Sequence, residues 1–327
     1  MSQPASSGAK RPLKVAVQMD HISTINITGD SAFALMLEAQ DRGYELYHYT
    51  PERLAMWGEK VMCRVEPVSV KDEADNHFSF GEPQRVDMSE MDVVLMRQDP
   101  PFDLAYIAAT HILEKLSKTT LVVNDPISVR NAPEKLFVTQ FADLMPPTLI
   151  THDREEIDEF RNIHGDIVMK PLFGHGGAAV FRVTQDDLNY GSLYDFFSVT
   201  FREPWVIQKF LPNVKHGDKR ILLVDGEFAG AVNRVPAAGD LRSNMVRGGS
   251  AKDSDLTERE REICARLGPA LKEQGLILVG IDVIDGNLTE INVTAPTGIR
   301  AIQKLGGPNV AAMVWDVLET KLKNKEG

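Results

Sequence analysis

The chain has 327 residues, 43% hydrophobic and 25% charged, enough core-forming material for two or three packed units. With 36 Lys and Arg against 47 Asp and Glu its formal charge is −11, which argues against nucleic-acid or anionic-membrane partners, because both select a basic footprint. No apolar run nears the ~18 residues that span a bilayer, residues 1–12 read as a disordered tail without the apolar stretch of a secretory signal, and Cys63 and Cys264 suit buried packing positions in a reducing, cytoplasmic setting.

In chain order, residues 13–19 form a short β-branched apolar run, read as a buried strand. Asp30 is a plausible N-cap for a helix carrying Phe33, Leu35, Met36 and Leu37, which Gly43 stops. Residues 45–49, 92–97 and 121–124 read as further strands, with a helix over 103–116 before the last. Strands alternating with helices predict a doubly wound α/β unit over the first ~120 residues. Pro126 and Pro133 then break the chain, and an α+β pattern begins. Helices are expected over 134–141 and 154–164, with strands at 167–170, 179–183, 205–210, 219–224 and 228–234. A long polar stretch, 235–255, precedes a helix at 258–274, strands at 276–284 and 288–293, and a closing helix near 308–322.

Gly174-His175-Gly176-Gly177 lies between two strands, so it is neither a Walker A loop nor a dinucleotide-binding fingerprint. A glycine turn in that position serves equally as a plain hairpin or as a cover whose backbone N–H groups meet phosphate oxygens. Lys170, four residues upstream, and Lys135, at a helix start, tip the reading toward phosphate.

The strongest local signal runs from Gly280 to Asn292. Asp282 sits inside an apolar strand, where a carboxylate is costly unless it is paired or bound to a metal, and Asp285-Gly286 marks a tight turn. A three-residue loop, 285–287, sets Ile284 against Leu288 and Asp282 against Glu290, with Asn292 on the same face. Three oxygen ligands then converge, as Mg²⁺ prefers when it also holds phosphates and water. A two-residue loop puts Asp282 on the opposite face. Arg220, Arg234, Arg242 and Arg247 supply guanidinium groups for carboxylate or phosphate, the last two in the glycine-containing segment that reads either as a lid or as a surface loop.

These residues, in order and spacing, resemble the ATP-grasp ligases. Met19-Asp20, Ile25-Asn26-Ile27, residues 95–103 around Arg97, residues 131–137 around Lys135, and residues 289–297 are similar to the bacterial-type glutathione synthetase family in particular. The likeness covers about residues 13–322. It implies an N-terminal α/β substrate domain (13–130) followed by a two-lobed ATP-grasp fold, with a small lid domain (131–211) and a C-terminal domain with the magnesium site (212–327). The implied activity is ATP-dependent ligation of γ-glutamylcysteine with glycine through an acyl phosphate, in the cytoplasm and as a homotetramer. Lys135, Lys170 and the loop Gly174, His175, Gly176 and Gly177 would contact the nucleotide phosphates. Gln208, Lys209, Phe210 and Leu211 would hold adenine through backbone groups. Asp282, Glu290 and Asn292 would bind two Mg²⁺ ions, or Mn²⁺ in their place. Arg220 and Arg242 would act in catalysis, Arg242 also closing over the dipeptide. Asp20, Arg97, Arg234 and Thr297 complete the implied substrate site. The family pattern has serine where this chain has Ala295, which leaves Thr297 and backbone N–H groups for the substrate carboxylate. Ligases of the D-alanine–D-alanine or glutamate-adding type share the nucleotide motifs but not the N-terminal echoes. A noncatalytic ATP sensor need not keep every charge.

Overall fold

In this computed structural model residues 11–174, 176–237 and 250–325 are described. The strand Lys14–Gln18 runs parallel to Glu45–Tyr49 on one side and to Val93–Met96 on the other, and Leu121–Val123 extends the row. Parallel neighbours need crossovers, and the helices Ser31–Asp41 and Leu104–Glu114 supply two of them. Each starts at an aspartate: Asp30 accepts from the Phe33 N–H at 2.6 Å and Asp103 from the Tyr106 N–H at 2.9 Å. Val15, Val17, Val93 and Leu95 pack with Phe33 and Leu35 of the first helix, while Ala16, Val94 and Met96 meet Tyr106 and Leu113 of the second. Burial on both faces explains why these strands read as unbroken apolar runs.

Between residues 50 and 90 the same sheet gains the antiparallel strands Leu54–Trp57, Lys60–Val70, Phe78–Phe80 and Gln84–Asp87. Sequence reading missed them. Lys60–Val70 alternates buried and exposed positions around charged residues and carries Pro67, so it lacks the apolar density of its parallel neighbours. Residues 1–10 of the expected tail lie outside the described residues, and Arg11 is held by both carboxylate oxygens of Asp92 at 2.7 Å.

A second sheet consists of Thr148–Thr151, Ile167–Pro171, Phe181–Val183 and Trp205–Lys209, all antiparallel. It packs on the helices Arg154–His164 and Tyr190–Thr200, the latter not foreseen, through a separate core built on Ile157, Met169, Phe197 and Trp205. The expected helix over 134–141 is shorter: Glu134–Phe137 gives way to a 3₁₀ segment with non-helical backbone at Phe141.

The third sheet orders its strands Ser250–Asp253, Glu227–Val235, Asp218–Val224, Leu278–Ile284 and Asn287–Asn292. Ser250–Asp253 lies within the stretch read as an unstructured polar segment. Val279, Ile281 and Ile291 share a core with Ala16 and Val94, so the first and third sheets are knit together while the second keeps its own apolar centre. The Asn124 amide donates to the carbonyls of Leu278 (2.8 Å) and Val293 (2.7 Å) and accepts from the Leu278 N–H, tying the end of the first sheet to the third. Cys63 and Cys264 are both buried, and burial pushes each thiol up to about 12, as suits packing residues. Among the described residues no helix is long and apolar enough to cross a membrane.

The hairpin at 278–292 corrects the sequence reading. Its loop has two residues, Asp285 (φ +50°) and Gly286 (φ +72°), the left-handed pair of a type I′ turn. Ile284 therefore pairs with Asn287 rather than Leu288, and Val283 with Leu288. The register then slips by one residue between Val283 and Asp282, so that Thr289 is passed over and Asp282 faces Glu290 after all. The driving force is visible in the core. Leu288 and Ile291 are three residues apart yet enter one apolar cluster, which a strand of strict period two forbids. Without the bulge, Glu290 would turn toward that cluster and Ile291 away from it.

Candidate active site

Lys135, Lys170, Arg220, Arg234, Asp282, Glu290 and Asn292 converge on one cavity of about 480 Å³, walled by the second and third sheets and reached by Asp20 and Asp99 from the first. Strand pairing creates this convergence. Arg220 lies directly across from Asp282, Asp282 across from Glu290, and Asp218 across from Arg234, so one sheet face carries a row of alternating charge. The Arg220 guanidinium grips Asp282 with two bonds, Nε to Oδ1 at 2.6 Å and Nη2 to Oδ2 at 3.0 Å. Arg234 Nη2 lies 2.9 Å from Asp282 Oδ1 and 2.7 Å from Asp218 Oδ2. Asn292 donates to Asp282 Oδ2 at 3.4 Å. From the second sheet, Lys170 Nζ reaches Glu290 Oε1 at 3.2 Å. Lys135 Nζ is 3.7 Å from the same oxygen, pairs with Glu134, and donates to the Gly174 carbonyl at 2.7 Å.

Burial pushes the Asp282 carboxyl up, and the charges of Arg220 and Arg234 more than reverse this, leaving it well below the ordinary carboxylate range. Glu290 follows the same pattern, with burial outweighed by Lys135 and Lys170. Glu134 goes the other way: burial, with Glu290 and Asp282 nearby, raises its carboxyl despite the adjacent lysine. Both carboxylates thus stay ionised at neutral pH, each held by two cationic side chains.

Gly174, Gly176 and Gly177 line the cavity on the turn between Ile167–Pro171 and Phe181–Val183, and Gly176 and Gly177 have positive φ. His175 and Arg242, together with Arg247, lie outside the described residues. Gln208, Lys209, Phe210 and Leu211 also line it. The N–H groups of Lys209 and Phe210 already donate to Pro147 and Asp166, so those two amides are not available to a base. Thr297 is in the wall, and its carbonyl accepts from Arg220 Nη1 at 3.1 Å. Arg97 is the clear departure. It is buried and not among the lining residues; its Nη2 donates at 2.9 Å to the carbonyl of Pro296, next to Thr297.

Sequence reading gave no site role to Glu134, Asp218, Gly280 or Thr289. Asp218 and Arg220 are two apart on one strand, a spacing that already put them on one face. Gly280 has a steric role: a Cβ there would lie 2.8 Å from Pro296 Cβ and 3.1 Å from Arg220 Cδ. Gly280→Ala is expected to displace the Arg220 side chain and lower kcat about tenfold, as a small misplacement of a positioned group does. Steady-state kinetics beside a thermal melt check this; unchanged kcat would mean that Pro296 and Arg220 yield freely.

Comparison with known proteins fits this architecture. The ATP-grasp ligase PsnB, complexed with minimal precursor, Mg and ADP, superposes with a TM-score of 0.60 at 18% identity, over 95% of this chain and 98% of that one. D-cycloserine synthetase DcsG gives 0.66 at 16% identity, over 94% and 99%. The fold is that of the ATP-grasp ligases. The prokaryotic glutathione synthetase N-terminal domain matches residues 13–130 and the prokaryotic glutathione synthetase ATP-grasp domain residues 134–307. Glutathione synthetase of Rhodopseudomonas palustris is 68% identical over 94% of this chain and 99% of its own length, and that of Bradyrhizobium diazoefficiens 68% over 94% and 98%. The Shewanella oneidensis enzyme is 43% identical over 95% and 99%. The chain belongs to the prokaryotic glutathione synthetase family.

Members of an ATP-grasp family use a divalent metal, and the donors present suit one. Among the described residues no group of three or more His, Cys, Asp and Glu side chains gathers as a metal cage. Two facing carboxylates and the Asn292 amide form instead a sparse set of hard oxygen donors, which fits Mg²⁺ when phosphates and water complete its shell.

Proposed function

We propose that the chain joins γ-L-glutamyl-L-cysteine to glycine at the expense of ATP, by way of an acyl phosphate, giving glutathione, ADP and phosphate. The observation that carries this reading is the row of Arg220, Asp282 and Glu290 across three neighbouring strands, with Lys135 and Lys170 facing it from the second sheet.

A carboxylate is a poor electrophile, so phosphorylation of the cysteinyl carboxylate comes first, and the glycine amine then displaces phosphate. Phosphoryl transfer needs positioning and charge stabilisation more than a protein nucleophile, in keeping with thiols that stay protonated. Lys135 and Lys170 bind the phosphates, with the turn of Gly174, Gly176 and Gly177 folded over them and the 208–211 stretch beside the adenine. Arg220 stabilises the transferring phosphoryl group, and Arg234, held between the carboxylates of Asp218 and Asp282, belongs to the substrate site. Asp282, Glu290 and Asn292 would hold Mg²⁺, or Mn²⁺, whose bound charge neutralises phosphate oxygens. Asp20 and Thr297, both in the cavity wall, would meet the dipeptide, with Ala295 lacking a hydroxyl, and Arg242, outside the described residues, would close over it. Because acyl phosphates hydrolyse in water, such a cover keeps turnover coupled. The same reading divides the chain at about residues 130 and 211 and makes it a cytoplasmic homotetramer.

The test is phosphate release with γ-glutamylcysteine and glycine together, against each alone, with the product weighed by mass spectrometry. Stoichiometric glutathione is expected. Turnover only with another carboxylate–amine pair, or with none, would overturn the assignment.

A further inference from the structure

The two carboxylates of the cleft face one another only because the hairpin that bears them skips a residue. A type I′ turn at Asp285-Gly286, continued in plain register, would pair Asp282 with Thr289 and Ile281 with Glu290. Glu290 would then project to the other side of the sheet, away from Lys170 and toward the apolar cluster of Ile281. The slip by one residue at Thr289 reverses this, and it is not held by backbone alone. Thr289 is only 6% exposed, and its Oγ1 donates to the Asp282 carbonyl at 3.0 Å, across the strand gap where the pairing shifts. The hydroxyl thus bonds to the backbone of one metal-type ligand from the residue next to the other.

We infer that Thr289 is a positioning residue whose hydroxyl locks this bulge and thereby sets Asp282 and Glu290 on one face for a divalent cation. The inference rests on the ligase reading for its purpose but not for its test. An extra residue in an antiparallel pair re-aims the side chains beside it, and the buried Thr289 hydroxyl adds a bond to the Asp282 carbonyl at that point. Valine is nearly isosteric with threonine, so it keeps the shape while removing the hydroxyl donor.

Thr289→Val, Thr289→Ala and Thr289→Ser are compared in the full chain. Binding of Mn²⁺ in the presence of ATP is read by electron paramagnetic resonance, and the Mg²⁺ concentration for half-maximal turnover by kinetics. Loss of an outer-shell partner weakens metal binding about 10-fold or more, so the valine variant is expected to raise the Mn²⁺ Kd and the Mg²⁺ requirement by about tenfold, with serine restoring both to within about twofold. Should valine fold poorly in a thermal melt, alanine carries the same comparison. Equal Mn²⁺ affinity in the wild type and in whichever of the valine and alanine variants folds, or a serine variant as weak as they are, overturns the inference. If the wild type binds Mn²⁺ and ATP but makes no glutathione, the ligase reading fails while the order of Mn²⁺ affinities still decides the role of Thr289.

Discussion

Asparagine in place of Asp282 is expected to lower turnover about a thousandfold, the scale of removing a preorganised charged group from a dry active site. Asn keeps the shape and one acceptor oxygen, so the loss isolates the charge that a divalent cation would meet. The same change is expected to destabilise the protein by about 3 kcal/mol, since it breaks a buried ion pair from one side. Arg220 and Arg234, only 7% and 5% exposed, would then face an amide in place of the carboxylate they share. Urea unfolding measures this cost, and its pH dependence supplies a sign. Asp282 and Glu290 titrate below their ordinary values, so near pH 4 the folded chain binds fewer protons than the unfolded chain. Their stabilisation is fully present above about pH 4–5 and disappears as pH falls through the lower folded values. The gap between wild type and Asp282→Asn should therefore stay constant from pH 8 to 5 and narrow below 4. A gap that widened in acid would show that the arginines do not hold this carboxylate ionised.

Lys170→Met is expected to raise the KM for ATP about a hundredfold, from the 1.5–3 kcal/mol typical of a charge-assisted bond. Glu290 would keep Lys135 at 3.7 Å as a cationic neighbour, so the fold should survive. Arginine at 170 restores the charge but not the compact ammonium geometry, and only partial recovery is expected. Initial rates at varied ATP decide the matter: an unchanged KM with a depressed kcat would remove Lys170 from nucleotide binding and give it another task.

Much of this site was legible before any coordinates. Asp30 announced its helix because an N-cap is a local bond within three residues, a signal that Asp103 also carries. The parallel strands were visible because both of their faces are buried. Asp282 stood out because a carboxylate amid apolar sequence demands a partner, and Lys135 and Lys170 because of their placement relative to the glycine turn. The hairpin shows where such reasoning stops. Turn residues predicted a loop length, and the outcome hung on a bulge that no turn signal encodes. The clue lay in the odd spacing of Leu288 and Ile291, since burying both overrides the alternation that a regular strand imposes. Arg97 could not be placed from sequence, because its partner is a carbonyl almost two hundred residues away. The antiparallel strands between residues 54 and 87 were hidden by their half-exposed, charged pattern.

The ion pairs of the cleft have a bearing on how substrates arrive. Its described lining holds six acids (Asp20, Asp99, Glu134, Asp218, Asp282 and Glu290) and six bases (Lys135, Lys170, Arg182, Lys209, Arg220 and Arg234). The described lining is electrically balanced on a molecule of net charge −11, so a bare polyphosphate approaching from solution meets an overall repulsion that these residues do not offset. Capture then favours ligands that come with their own counter-ions and trade partners at contact, and added salt, by screening the long-range repulsion, should speed the approach.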